Sequence, residues 1–82
     1  MLEELVSNEK VIGVKQSRKA LRDGRAVKVF LACDADPAVT APIAQLCGAQ
    51  SIPVNEEIGM AQLGRACGIT VGASVVALLK QR

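Results

Sequence analysis

Four cations recur at helical spacing in the amino-terminal third of the chain: Lys15, Arg18, Lys19 and Arg22. Residues three, four and seven positions apart lie on one side of an α-helix. Four like charges on one side repel one another, which costs helix stability unless a negatively charged partner neutralises them. The spacing therefore indicates a surface that binds a polyanion. The simpler alternative is a solvated basic helix that has no partner.

The residues that begin this helix could contact a nucleic acid through more than charge. Backbone N–H groups at a helix start bind phosphate, and Gly13, which has no Cβ, lets the backbone approach a ligand closely. Gln16 can both donate to and accept from base edges. The net charge is only +2, but six of the ten cations lie between positions 15 and 28, where Asp23 is the only acid. This segregation favours a polyanion, and we expect that it is RNA.

The composition argues against several kinds of site. Histidine is absent and Cys33, Cys47 and Cys67 form no C-x-x-C pair, so we expect no metal site and no disulfide framework in a reduced, cytoplasmic protein. Cys67 is expected near a helix carboxyl terminus, where the dipole raises a thiol pKa and disfavours a nucleophile. No P-loop or G-x-G-x-x-G motif follows a strand. We therefore predict no enzyme and no cofactor, and with one Phe and no Tyr or Trp we expect no base-stacking platform.

The periodicity predicts alternating helices and strands in a single domain, residues 1–82. Helices are expected at residues 2–6, 14–23, 37–48 and 57–67, and strands at residues 26–32, 52–54 and 73–79. Asp36 is positioned to cap a helix that begins at Pro37, an interpretation that we prefer to a metal-binding pair of Asp34 and Asp36. The alternation predicts an α/β fold with helices on both faces of the sheet. The apolar run at residues 71–79 is too short to cross a membrane.

Three segments resemble the bacterial, YbxF-type branch of the L-seven-Ae ribosomal protein family: Gly13-x-Lys15-Gln16-x-x-Lys19, Asp34-Ala35-Asp36-Pro37 and Leu63-Gly64-Arg65-Ala66-Cys67-Gly68-Ile69-x-Val71-Gly72-Ala73. They occur in family order and at family spacing between about residues 7 and 79. The resemblance implies a three-layer α-β-α sandwich with a small mixed four-stranded sheet. It also implies non-enzymatic binding to kink-turn RNA, a bent RNA in which tandem sheared G·A pairs flank a short bulge.

The resemblance further implies two RNA-contacting surfaces. The first is the helix start, where Gly13, Lys15, Gln16 and Lys19 take the family's contact positions. From the residues themselves, we add Val14 within this start, and Arg18 and Arg22 as less specific attraction for the RNA backbone. The second is an apolar clamp beside the extruded bulge nucleotides, formed by Ile69, Thr70 and Val71, with Arg65 in reach of phosphate. The residues alone leave two alternatives open, that Ile69 and Val71 merely begin the last strand and that Arg65 is simply an exposed helix cation.

One pair of residues departs from the ribosomal members of the family, which usually carry Asn-Glu where this chain has Lys15-Gln16. Glu only accepts hydrogen bonds, whereas Gln also donates and Lys cannot accept. We therefore expect a different base-contact pattern, with affinity that depends more on charge.

The leading hypothesis is a monomeric, cytoplasmic protein that binds structured RNA, with a kink-turn of ribosomal or regulatory RNA as its target and no membrane partner. A protein-interaction module that uses the same basic side to bind an acidic partner is the alternative. An enzyme or nucleotide-binding domain is a weaker third hypothesis.

Overall fold

The computed structural model describes residues 9–80, so the helix predicted at residues 2–6 lies outside the described part of the chain. The described helices are α1 (Val14–Arg22), α2 (Pro37–Ala49) and α3 (Met60–Ala66). The described strands are β1 (Lys10–Ile12), β2 (Ala26–Leu31), β3 (Val54–Asn55) and β4 (Val75–Leu79). Among these residues no helix has the length and apolar character needed to span a membrane.

The four strands form one mixed sheet in the order β1-β4-β2-β3. Strand β4 is antiparallel to both β1 and β2, and β3 is parallel to β2. Strands β1, β2 and β3 therefore run in the same direction, and each is followed by a helix. As a result α1, α2 and α3 all begin at one end of the sheet, where β4 also begins. We call this the helix-start end.

The core lies on both faces of the sheet because neighbouring strand residues point in opposite directions. On one face, Leu21 of α1 and Ile43 of α2 pack in one buried cluster with Val29 of β2. On the other face, Leu63 of α3 packs with Phe30 of β2. The structure therefore confirms the predicted three-layer α-β-α sandwich with a mixed four-stranded sheet.

Local signals in the sequence explain where α2 begins and where α1 ends. Asp36 accepts a hydrogen bond from the Ala38 N–H at 2.9 Å and Pro37 is the first residue of α2, as predicted. Gly24 follows the last turn of α1 with a φ of 71°, a conformation that glycine adopts at little cost. Pro42 lies inside α2 without ending it, and the next residue, Ile43, is fully buried.

The last strand begins at Val75, two residues later than predicted, and three further differences between the observed elements and the prediction have identifiable causes. Strand β1 was not predicted from the residues, because an edge strand of three residues is too short to show a clear hydrophobic periodicity. Strand β3 lies at Val54–Asn55 and not at residues 52–54, since Pro53 has no N–H to donate to a neighbouring strand. Helix α3 begins at Met60 and not at Glu57, because the Asn55 side chain accepts from the Glu57 N–H at 2.9 Å in a turn.

Candidate nucleic-acid interface

The start of α1 is shaped by Gly13, the residue that links it to β1. Gly13 has a φ of 104° and a ψ of 161°, a combination that is almost closed to residues with a Cβ. Its N–H donates to the Val75 carbonyl at 2.8 Å, and its carbonyl accepts from the Ser17 N–H at 3.0 Å. The chain therefore turns abruptly from β1 into α1 while remaining attached to the first residue of β4.

Backbone donors are left open at this helix start. The N–H groups of the first four positions of a helix have no acceptor within the helix. Gly13 donates its own to Val75, so among the described residues the N–H groups of Val14, Lys15 and Gln16 remain without an acceptor. Within residues 9–80 no side chain caps α1, and its first turn contains no acid. The open donors add to the positive end of the helix dipole, so this start favours an anion.

The predicted basic side of α1 faces solvent. Lys15, Gln16, Arg18, Lys19 and Arg22 are all exposed, whereas Ala20 and Leu21 on the opposite side are buried. Burial of the apolar side is what holds the like charges on one surface.

Two residues of α1 point elsewhere. Val14 is half-buried and packs against the core under α1 and α2, so its side chain is less available to a ligand than those of the exposed cations. Ser17 is fully buried, and among residues 9–80 its hydroxyl has no hydrogen-bond partner. The basic side of the helix therefore excludes both of these side chains.

The predicted apolar clamp lies in the connection between α3 and β4, residues 68–74, which we call the 68–74 loop. Ile69 is half-buried and packs with the core under α3, whereas Thr70 is exposed and Val71 is 67% exposed. Strand β4 begins only at Val75, so the alternative in which Ile69 and Val71 begin that strand is wrong. Of the three clamp residues, the structure makes Val71 the apolar side chain that a partner can cover.

Backbone hydrogen bonds hold the 68–74 loop against α3 and β2. The Ile69 N–H donates to the Gly64 carbonyl at 3.1 Å, and the Ala73 N–H donates to the Met60 carbonyl at 3.1 Å. The Ser74 carbonyl accepts from the Ala32 N–H at 2.9 Å. The loop is thus attached at its beginning and at its end, with Val71 between the attachments.

The two surfaces meet at the helix-start end of the sheet. The Gly13 N–H binds the carbonyl of Val75, the residue that directly follows the 68–74 loop. Gly13, Lys15 and Gln16 therefore lie beside the end of the loop. Arg22 is eight residues along α1, about 12 Å from the helix start. Arg65 is exposed in the last turn of α3, away from the helix-start end. The structure brings the helix start and the loop together. It places Arg22 at the other end of α1, and Arg65 directly after Gly64, whose carbonyl accepts from the Ile69 N–H of the loop.

Sequence reasoning missed the part played by Asp34. Its Oδ1 atom accepts a hydrogen bond from the Met60 N–H at 2.8 Å, across 26 positions of sequence, and so caps α3. Asp34 and Asp36 each cap a different helix, which supports the structural interpretation of that pair. The signal available in the sequence was that Gly59, the residue before α3, has no side chain with which to cap it.

Cys67 occupies the carboxyl-terminal cap of α3, as the sequence suggested. Burial raises the pKa of its thiol above the ordinary value, and the nearby charge of Lys10 partly opposes this shift. A raised pKa keeps the thiol protonated near neutral pH, which disfavours a nucleophilic role. Burial also raises the pKa of the Cys47 thiol in the core.

Comparisons with known proteins agree with this geometry. Residues 2–82 match the sequence model of the ribosomal protein L7Ae/L30e/S12e/Gadd45 family. An RNA-binding protein of Geobacillus sp. (strain WCH70) is 37% identical over 76 residues, which are 93% of each chain. The RNA-binding protein YbxF of Geobacillus stearothermophilus is 40% identical over 70 residues, 85% of each chain. Among solved structures, the Giardia lamblia 15.5kD RNA binding protein has a TM-score of 0.84 at 27% identity, covering 98% of this chain and 68% of that one.

Proposed function

The chain belongs to the ribosomal protein L7Ae/L30e/S12e/Gadd45 family, and on that basis we propose that it is a non-enzymatic RNA-binding protein whose target is kink-turn RNA. The relatives named RNA-binding proteins in Geobacillus support the RNA part of this proposal. Because the family includes ribosomal proteins, a kink-turn of ribosomal RNA is the first target to assay.

The observation that carries the proposal is the position of two unlike surfaces beside each other. One is the open start of α1, which offers backbone N–H groups and exposed cations to phosphate. The other is the 68–74 loop, which offers the exposed apolar side chain of Val71. The Gly13–Val75 hydrogen bond joins them. A ligand that fits both offers phosphates and an apolar face within a short distance, and an RNA with an unstacked base has both.

A kinked RNA has this combination, whereas a regular duplex does not. The major groove of A-form RNA is deep and narrow, so a helix start cannot reach its base edges. A sharp kink opens the groove and exposes unpaired bases at the bulge. In the proposed complex, Lys15 and Lys19 neutralise phosphates, Gln16 contacts base edges, and Val71 packs on an extruded nucleotide.

The test compares a kink-turn RNA with a fully paired duplex of equal length. Dissociation constants are measured by calorimetry or gel shift at about 50 and 200 mM salt. We expect at least roughly tenfold tighter binding to the kink-turn, which is about 1.4 kcal/mol. If the four exposed cations of α1 each contact one phosphate, the logarithmic salt slope should be about −3. Equal affinity for the two RNAs would refute kink-turn recognition, and no binding to either would refute RNA binding.

A further inference from the structure

The backbone of the 68–74 loop lies close to that of α3 at Gly64. Gly64 is buried, and a Cβ atom built on it would clash with the carbonyl oxygen of Val71 and lie 3.1 Å from that carbonyl carbon. Real Cβ atoms essentially never show such contacts with backbone. The loop can therefore lie at its present distance from α3 only because residue 64 has no side chain.

A second glycine, Gly72, lets the loop pack close to Met60 of α3, although less tightly than at Gly64. A Cβ atom on Gly72 would lie 3.2 Å from the Met60 Cβ and 3.4 Å from the Met60 carbonyl carbon. Met60 itself is held by its backbone, since its N–H binds Asp34 at 2.8 Å and its carbonyl accepts from Ala73 at 3.1 Å. Val71 is thus held between one glycine of the helix and one glycine of the loop.

The start of α1 does not share this dependence. It is attached to Val75, after the loop has ended, through the Gly13 hydrogen bond. A side chain at position 64 would move Val71 outward and leave the start of α1 where it is. The distance between the two surfaces would change, while the charges and open N–H groups of α1 would not.

From these contacts we infer that Gly64 is a positioning residue that determines RNA specificity by setting the distance between Val71 and α3. The inference rests on the proposed function and assigns selectivity to a residue that no RNA atom can reach. Binding to any phosphate backbone needs only the start of α1. Discrimination of the kinked RNA needs Val71 at the correct distance from that start.

The test is Gly64→Ala, with Gly48→Ala as its matched control. Both glycines lie within helices, but Gly48 is exposed and a Cβ there meets nothing within 4 Å. The gain in helix propensity from Gly to Ala is therefore common to both variants. We expect Gly64→Ala to lower the kink-turn preference over duplex about threefold, because Val71 loses part of its contact area. Duplex affinity should change less than about twofold, and Gly48→Ala should match the wild type in both assays.

A general loss of folded protein would lower both affinities together, so the ratio of kink-turn affinity to duplex affinity separates positioning from stability.

A double-mutant cycle with Val71→Ala tests whether Gly64 acts through Val71. If Gly64 acts through Val71, the effects of the two substitutions on the kink-turn preference should not add. The double variant should then show a preference no lower than that of the single variant with the lower preference. Additive losses would overturn the inference.

Two further outcomes are decisive. If Gly64→Ala does not fold, Gly72→Ala replaces it, since its neighbours need to move by only a few tenths of an ångström. Wild-type discrimination by a folded Gly64→Ala, or by Gly72→Ala in its place, would overturn the inference while the proposed function stands. A wild-type protein that fails to prefer the kink-turn would instead refute the proposed function.

Discussion

Helices α1 and α3 begin at the same end of the sheet, and each is preceded by a glycine, yet the two starts are used in opposite ways. Gly59 precedes α3 in an ordinary extended conformation, and the Asp34 carboxylate accepts from the Met60 N–H. Gly13 precedes α1 in a conformation that favours glycine, and within the described residues no side chain caps that helix. The Asp34 carboxylate satisfies the first helical N–H of α3 inside the protein, whereas among the described residues the N–H groups of Val14, Lys15 and Gln16 have no such acceptor and are available to a ligand.

The difference shows how a small fold can keep a binding site open at low cost. A glycine at the N-cap costs only a few tenths of a kcal/mol relative to the best capping residues. The chain can therefore leave the N–H groups of α1 uncapped without losing the helix. The Asp34 carboxylate caps α3 instead, and its hydrogen bond holds Met60 against the 68–74 loop.

The largest effect should come from adding a Cβ to the glycine that precedes α1, compared with the same change in the glycine that precedes α3. Gly13→Ala is expected to lower the free energy of unfolding by about 2 kcal/mol, because the φ and ψ of Gly13 are strained for alanine. Gly59→Ala is the control. Its φ is −77° and its Cβ would lie 3.5 Å from the Asp34 carboxylate, an ordinary contact, so a change within about 0.5 kcal/mol is expected. Urea unfolding measures both, and equal losses would remove the distinction between the two starts.

Lys15→Glu should separate stability from binding by moving them in opposite directions. A carboxylate in the first turn of α1 interacts favourably with the helix dipole, so stability should rise by about 0.5 kcal/mol. RNA affinity should fall about tenfold, or about 1.4 kcal/mol, because the new charge faces phosphate. Lys80→Glu, at the exposed far end of β4, is the control and should leave RNA binding nearly unchanged. Parallel losses in the two lysine variants would mean that binding follows net charge alone.

The cap of α3 is tested by Asp34→Ala. Loss of the carboxylate leaves the Met60 N–H without its acceptor and should cost about 1 kcal/mol of unfolding free energy. Asp34→Asn keeps an acceptor oxygen at the same position and should recover most of that stability. Denaturant titrations of the three proteins measure the difference. If the Ala and Asn variants are equally stable, the hydrogen bond to Met60 does not stabilise the helix start.

The smallest effects should distinguish the two ends of α1. Gln16→Ala is expected to reduce kink-turn preference about threefold with little change in salt dependence, because it removes a base contact and no charge. Arg22→Ala should keep the preference and reduce the magnitude of the salt slope by about 0.7 to 0.9, which corresponds to one phosphate contact. Binding curves for both RNAs at several salt concentrations give the two quantities. The same change in both variants would contradict the division of roles along the helix.

Elements with local signals were predictable from the sequence, and those set by distant contacts were not. Asp36 and Pro37 mark the start of α2 within two neighbouring residues, and the start was predicted correctly. The start of α3 was placed three residues too early. Asn55 forms a turn at Glu57, and the acceptor that caps the helix at Met60 is the Asp34 carboxylate, 26 residues away.

The candidate site divides in the same way. The spacing of Lys15 and Arg18 predicted an exposed basic side, and both residues are exposed. For the clamp, composition could not tell which apolar residue would face solvent, because the contacts of the loop with α3 decide it. Those contacts leave Val71 exposed and Ile69 half-buried. The RNA contacts of these residues stay a prediction.

The common direction of β1, β2 and β3 also has a kinetic consequence. It aims the positive ends of three helix dipoles out of the same end of the molecule. Carboxylates meet two of them, Asp36 at α2 and Asp34 at α3, so the remaining positive potential is displaced toward α1. This potential should therefore orient an approaching polyanion toward α1 before any contact forms. Ionic strength should act on the association rate constant much more than on the dissociation rate constant, since it weakens this orienting field.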